Sequence, residues 1–165
     1  MRGIVRLLGV AAMGFLSSTC GVAEQGEPAA WALPFIPDPG NGCSVISTPF
    51  SVANPWDHAH EALDFACKPG TAVLAAADGE VIGIQQVEVR GQARFRVQVA
   101  VDGEGLRLEY ANLSRVSASP GDRLNQGETI GVSALGLHLA VWSESEGKYL
   151  DPADYLPLEA LEAAP

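Results

Sequence analysis

The sequence is poor in histidine, cysteine and basic residues, and each scarcity narrows what the chain can do. Its 165 residues include 3 histidines, 3 cysteines and 10 Lys or Arg residues against 20 Asp or Glu residues, for a formal charge of −10. A protein that binds the phosphates of a nucleic acid needs a surplus of basic side chains. The charge balance therefore argues against nucleic acid as a partner.

The chain has no apolar run long enough to span a bilayer, but it begins with a shorter one. Two arginines precede an apolar stretch from Leu7 to Leu16, which is the pattern of an export signal. Cleavage could follow Ala23, or it could precede Cys20, which would then carry a lipid anchor. We therefore predict a signal peptide over residues 1–19 and an exported protein of the periplasm or cell envelope, with lipid and membrane attachment at Cys20 left open.

Composition divides the remaining chain into three parts. Residues 20–44 are rich in Pro, Gly and Ala and predict a tether, and residues 158–165 predict a short acidic tail with weak helical potential. The residues between them, 45–157, have the length and aliphatic content of one domain with its own core. One folded domain is therefore expected.

Cys43 and Cys67 are the two cysteines that remain once Cys20 is lipidated or removed with the signal. In an oxidising compartment such a pair favours a disulfide, which would add about 3 to 4 kcal/mol of stability for a loop of this length. Two buried free thiols are the alternative. The disulfide prediction depends on export, because cytosolic thiols are kept reduced.

Short strands separated by Gly, Pro and Asp turns fill the region from Val45 to Leu156, without a stretch of helical period. The clearest strand, residues 94–101, alternates apolar and mostly polar side chains and ends at the turn Asp102-Gly103. The next strand, residues 106–110, follows this turn. The pattern predicts an all-β chain in which these two strands form an antiparallel hairpin.

An internal repeat indicates two related β units. Residues 69–83 and residues 120–131 share the order of a Pro-Gly turn, a short strand, a Gly-Glu turn and a second strand. We expect the two copies to fold against each other. Chance similarity between glycine-rich turns is the alternative.

Two of the three histidines, His58 and His60, lie in one polar segment together with Asp64. The i, i+4 spacing of His60 and Asp64 can place an imidazole and a carboxylate on one divalent ion, a combination suited to zinc. The spacing alone is weak, because a histidine and an aspartate in a surface loop are more often only solvated. The third histidine, His138, shares one face of a predicted strand with Ala140 and Trp142.

Together these segments resemble the lysostaphin-type, or LytM-type, murein zinc metalloendopeptidases over most of residues 58–156. The resemblance implies a compact antiparallel β-sheet, sandwich-like or barrel-like, with an open groove. It also implies zinc-dependent hydrolysis of a peptide bond in peptidoglycan. The motifs that carry it follow the family's order: His60–Val81, Tyr110–Ser114, Pro120–Gly131, His138–Leu139 and Asp151–Leu156.

The resemblance implies roles for single residues, and two positions depart from the family pattern. His60 and Asp64 match two metal ligands, and His138 matches the catalytic histidine of a His-x-His strand. Ala140 stands where the third metal ligand belongs, and Asn112 stands where a second catalytic histidine belongs. The site is thus expected to be a remnant.

These departures favour a protein without catalytic activity. A catalytic zinc site has three protein ligands and a water, and the methyl group of Ala140 offers no lone pair. Asn112 can donate a hydrogen bond but cannot shuttle a proton. His58 could replace the missing ligand if its segment is extended. We therefore expect the protein to bind no cofactor, unless it is active, in which case we expect zinc.

The resulting hypothesis is a cell-envelope domain that binds peptidoglycan peptide or regulates a murein hydrolase, with Tyr110 and Trp142 as candidate residues of the substrate groove. The alternative is an active zinc endopeptidase that cleaves peptidoglycan cross-links with a rearranged metal site. A third class, the lipoyl-type and sugar-phosphotransferase β domains, has similar turns and carries a covalent group on a lysine or histidine. The predicted hairpin tips hold no lysine.

Overall fold

The computed structural model describes residues 30–38, 43–51 and 59–162. Almost all regular structure in these ranges is β-strand, so the all-β prediction is confirmed. A 3₁₀ helix, Pro152–Asp154, and a short α-helix, α1 Glu159–Glu162, come last. The strands are β1 Cys43–Thr48, β2 Leu63–Cys67, β3 Ala72–Leu74, β4 Gly79–Val89, β5 Gln92–Val101, β6 Leu106–Val116, β7 Arg123–Leu124, β8 Thr129–Ser143 and β9 Lys148–Leu150.

These strands form one antiparallel sheet with the order β1-β2-β8-β6-β5-β4-β7. The long strand β8 organises the sheet, because β3 and β9 also pair with it. The predicted hairpin is confirmed: β5 pairs with β6 from Phe95 opposite Leu113 to Ala100 opposite Arg107. None of the described helices is long and apolar enough to cross a membrane.

Each copy of the internal repeat contains one short and one long strand, and the short strand of each copy pairs with the long strand of the other. The first copy contains the short strand β3 and the long strand β4, and the second contains β7 and β8. β3 pairs with β8 and β7 pairs with β4. In the same reciprocal way, the amide of Gly70 donates to Ser133 and the amide of Gly121 donates to Val81. The two copies therefore fold against each other.

One face of the sheet forms the apolar core. Side chains alternate between the two faces of a strand, so the buried residues of β2, β5, β6 and β8 leave polar residues on the opposite face. That opposite face carries the candidate site. The largest fully buried side chains are Tyr110, Phe35, Phe65, Leu63 and Leu108.

Residues 30–38, which composition assigned to a tether, pack against the core instead. Trp31, Leu33 and Phe35 are all buried, and the ring of Phe35 contacts Phe65 edge to face. Their alternating positions place three large apolar side chains on one side of an extended segment. The predicted domain boundary at residue 45 is therefore too late, because the Pro and Ala content of this segment obscured its apolar alternation.

The acidic tail was predicted to begin too early. Leu158, Ala160 and Leu161 pack against the core at the end of the described chain. Residues 163–165 lie outside the described residues, as do the predicted signal peptide, Cys20 and His58. The folded unit therefore includes most of α1.

Cys43 and Cys67 form the predicted disulfide. They face each other across β1 and β2, and both are buried. The bond ties β1 to β2 three residues after Asp64. It therefore braces the strand that carries a candidate metal ligand.

Candidate metal centre

The register of β2 and β8 brings three potential metal ligands together. Asp64 of β2 lies directly opposite His138 of β8, and His60 precedes Asp64 by four residues. His138 Nδ1 is 2.7 Å from Asp64 Oδ1, and His60 Nε2 is 3.3 Å from Asp64 Oδ2. One ligand atom from each of the three side chains lies within 4.8 Å of the others. Two imidazoles and a carboxylate thus converge on one point.

This donor set fits a zinc ion. Bonds of about 2.0 to 2.1 Å in a tetrahedral site place neighbouring ligand atoms about 3.3 to 3.4 Å apart. The separation of 3.3 Å between His60 Nε2 and Asp64 Oδ2 has this value, and His138 Nδ1 lies 2.7 Å from the other carboxylate oxygen, Oδ1. All three side chains are partly exposed, so solvent can reach the cluster.

Backbone groups orient His60. Its Nδ1 lies 2.9 Å from the carbonyl oxygen of Pro49, so Nδ1 donates a proton there and Nε2 presents its lone pair towards Asp64. The backbone of His60 also exchanges two hydrogen bonds with Ser51. Histidines that bind metals usually donate the other ring N–H in this way, which fixes their tautomer and orientation.

The position of His138 changes the interpretation of Ala140. The resemblance placed the third ligand at residue 140, but Ala140 lies opposite Glu109 and is buried, two residues beyond the partner of Asp64. The geometry instead offers His138 for the third place in the cluster. If His138 is the second, metal-binding histidine of the His-x-His pattern, Gly136 occupies the position of the first, catalytic histidine. Glycine provides no side chain there.

Asn112, which was predicted to replace a catalytic histidine, lies beside the hollow that adjoins this cluster. Its side-chain amide donates to the carbonyl oxygens of Leu135 and Gly136, the second at 3.2 Å. Its backbone φ of 63° lies in the left-handed region, which asparagine adopts more readily than most residues. Asn112 therefore fixes the backbone just before His138 and contributes no titrating group.

A hollow of about 450 Å³ opens beside the cluster. Residues of the β4–β5 hairpin and of β2, β6 and β8 line it. Among the described residues that line it, the charged or titratable side chains are Asp64, His138, Arg94 and Arg96. No acid or base other than the two cluster members and the two arginines borders the hollow within the described ranges.

Tyr110 is not a groove residue, and this prediction is wrong. Its ring belongs to the core with 0% of its surface exposed, and its hydroxyl oxygen accepts a hydrogen bond of 2.8 Å from the amide of Ala76. Burial raises the pKa of the Tyr110 hydroxyl well above its usual range. The error arises because Tyr110 alternates with Glu109 and Ala111 along β6, and only one of these faces is polar.

Trp142 shares the polar face of β8 but lies further along the strand than the hollow. Its ring contacts Tyr149 edge to face, and the guanidinium of Arg107 lies 5.5 Å from its centre. Trp142 does not line the hollow beside the cluster. Its assignment to a substrate groove stays a prediction.

Replacing Tyr110 with Phe should lower the free energy of unfolding by about 1 to 3 kcal/mol, because the buried amide of Ala76 loses its acceptor. Urea unfolding followed by circular dichroism measures this change. The matched variant Tyr149→Phe changes a partly exposed ring and should stay within about 0.5 kcal/mol of the unmodified protein. Equal losses in the two variants would contradict the proposed role of the Tyr110 hydroxyl.

Sequence reasoning did not assign Glu109, Arg94 or Arg96 to the site. Glu109 is buried and accepts hydrogen bonds from Gln98 and Arg107, with Arg96 3.7 Å away. The polar alternation of Arg94, Arg96 and Gln98 along β5 was visible in the sequence. Only the register of β5 with β6, and of β6 with β8, shows that this face adjoins the cluster.

The three residues of the cluster lie within a segment that matches a known protein family. Residues 58–152 match Peptidase family M23. The chain belongs to this family. The M23 domain thus includes all three residues of the cluster, and the resemblance derived from the sequence motifs is confirmed.

Solved structures share the fold of this M23 domain. Csd3 of Helicobacter pylori is 26% identical with a TM-score of 0.58, over 70% of this chain and 34% of the Csd3 chain. A zinc containing peptidase from Vibrio cholerae is 19% identical with a TM-score of 0.59, over 75% of this chain and 39% of the other. A chain of the SpoIIIAH and SpoIIQ complex is 22% identical with a TM-score of 0.60, over 76% of this chain and 99% of the other. The match thus spans about a third of Csd3.

Proposed function

We propose that this M23 domain holds zinc through His60, Asp64 and His138 but does not catalyse hydrolysis. One observation carries the proposal. Three potential metal ligands lie beside a hollow whose other described lining residues include no side chain that transfers protons at neutral pH. The domain therefore retains a metal-centred binding site without the remaining catalytic groups.

The chemistry of the neighbouring positions supports the loss of activity. When bound, zinc acts as a Lewis acid and lowers the pKa of a bound water to about 7. A side chain that accepts and returns a proton near the scissile bond typically adds about 10²- to 10⁴-fold to the rate of hydrolysis. Asn112 and Gly136 line the hollow beside His138, and the resemblance to the family implies a catalytic histidine at residue 112. An amide does not titrate, and glycine has no side chain.

The proposed ligand is peptidoglycan peptide or a protein partner such as a murein hydrolase. Membership of a peptidase family supports a peptide ligand, and the fold shared with a chain of the SpoIIIAH and SpoIIQ complex supports a protein one. The proposed site of action is the cell envelope, because residues 1–19 have the pattern of an export signal.

Zinc content and a hydrolysis assay together test the proposal. The purified chain should contain about one zinc per molecule, and it should release no new amino groups from purified peptidoglycan that an active M23 peptidase degrades in parallel. Zinc should disappear in the Asp64→Ala variant.

Two outcomes would contradict the proposal in different ways. A wild-type protein without zinc would refute the ligand set. Hydrolysis that is lost in Asp64→Ala would establish the alternative of an active endopeptidase, with a proton-transfer group outside the described residues.

A further inference from the structure

We propose that the hollow beside the metal cluster binds a carboxylate of its peptide ligand through Arg94, with Arg96 as a second contact. The inference rests on the proposed function in one respect, because it takes a peptide as the ligand of the same site. It adds the chemical feature that the site selects. That feature is a negative charge adjacent to an apolar side chain.

The first argument is the local charge. The chain has twice as many acidic as basic residues, yet two arginines line this hollow. The only carboxylate among its described lining residues is that of Asp64, which His60 and His138 already contact. The hollow is therefore positive on an acidic protein, and a bound zinc ion would increase this charge. A cleft of one sign concentrates ligands of the opposite sign.

The second argument is that the charge of Arg94 is not neutralised. Its guanidinium donates to the carbonyl of Ala93 and to the side-chain oxygen of Gln92, which are both neutral acceptors. Arg94 has no ion pair among the described residues, whereas Arg96 lies 3.7 Å from Glu109. Because a guanidinium and a carboxylate form strong paired hydrogen bonds, Arg94 is the preferred anchor for an acidic ligand.

The third argument is the apolar side of the hollow. Val87 lies opposite Arg94 in the β4–β5 hairpin, and Val87 and Val89 expose 43% and 46% of their surface. Leu135, which also lines the hollow, exposes 72%. Apolar walls with a few polar anchors are typical of sites for organic ligands. The combination fits a peptide in which an acidic residue adjoins apolar residues, rather than an inorganic anion.

A pair of matched peptides tests the inference. The tetrapeptide Ala-Glu-Ala-Ala with free carboxylates and the peptide Ala-Gln-Ala-Ala with an amidated C-terminus are titrated into the zinc-treated full chain, with binding followed by NMR. The acidic peptide should bind at least tenfold more tightly and shift resonances of β4 and β5. Arg94→Gln should weaken its binding about tenfold or more, and Arg94→Lys should weaken it less, because a lysine keeps the charge but not the paired hydrogen bonds.

Arg115→Gln is the matched control. Arg115 is exposed, lies outside the hollow and, like Arg94, has no ion pair in the described part of the chain. Its replacement removes the same charge and should leave peptide binding unchanged. Equal weakening by the two variants, or equal binding of the two peptides, would overturn the inference. Zinc content measured on the same samples reports separately on the proposed function, because Arg94 is not one of the ligands.

Discussion

Replacing His138 with Ala should abolish the proposed zinc binding, and replacing Ala140 with Ser should not. His138 lies directly opposite Asp64 and supplies one of three convergent ligand atoms, whereas Ala140 lies opposite Glu109. Disturbing even the groups that orient metal ligands costs about 10- to 100-fold in affinity, so the loss of a ligand should cost at least as much. Metal analysis by mass spectrometry and competition with a chelator measure the difference.

Thermal unfolding gives a second measurement of the same prediction. A ligand present at 100 times its dissociation constant stabilises the folded state by about 2.7 kcal/mol. Chelation should therefore lower the melting temperature of the wild-type protein and of Ala140→Ser, but not that of His138→Ala. Full zinc occupancy in His138→Ala would contradict the ligand set, and it would make His58 the next candidate. Loss of zinc in Ala140→Ser would also contradict it.

Removing the disulfide with the double variant Cys43→Ala and Cys67→Ala should lower the free energy of unfolding by about 3.5 kcal/mol. The two cysteines are 24 residues apart, and the chain-entropy model gives this value for a loop of that length. The disulfide restricts the unfolded chain, so its loss stabilises the unfolded state. Urea unfolding of the double variant and the wild-type protein measures the change.

Reduction provides the control for this prediction. Wild-type protein treated with a thiol reductant should unfold like the double variant, and the reductant should not alter the double variant itself. A loss below about 1 kcal/mol would contradict the entropic account. Zinc content should be unchanged in folded samples, since neither cysteine belongs to the cluster.

Local signals in the sequence predicted most of the sheet. The alternation over residues 94–101 and the turn at Asp102-Gly103 predicted β5, β6 and their pairing, which depend on residues that are close in the chain. The disulfide was predictable because few cysteines were available to pair. The repeat predicted two associated β units, although it did not show which strands pair.

The partner of Asp64 could not be derived in the same way. His138 and Asp64 are 74 residues apart, and the strand that contains His138 has Ala140 on the same face. A shift of two residues in the register of β2 and β8 keeps every side chain on its face, so both pairings satisfy the alternation of the sequence. The three-dimensional register was needed to distinguish a ligand from its neighbour.

The N-terminal segment was misassigned for a different reason. Its Pro and Ala content is typical of a linker, whereas its stability depends on Trp31, Leu33 and Phe35 finding apolar surface elsewhere in the domain. Phe35 reaches Phe65, which is distant in the sequence. Composition describes a segment in isolation and contains no information on such surfaces.

The exchange of short strands makes the two copies of the repeat dependent on each other. β3 pairs with the long strand of the second copy, and β7 pairs with the long strand of the first. Either copy expressed alone would expose a strand edge that the other now covers, and exposed edges promote aggregation. A truncation that removes one copy should therefore leave an aggregation-prone fragment, so we expect each copy to need the other for a soluble fold.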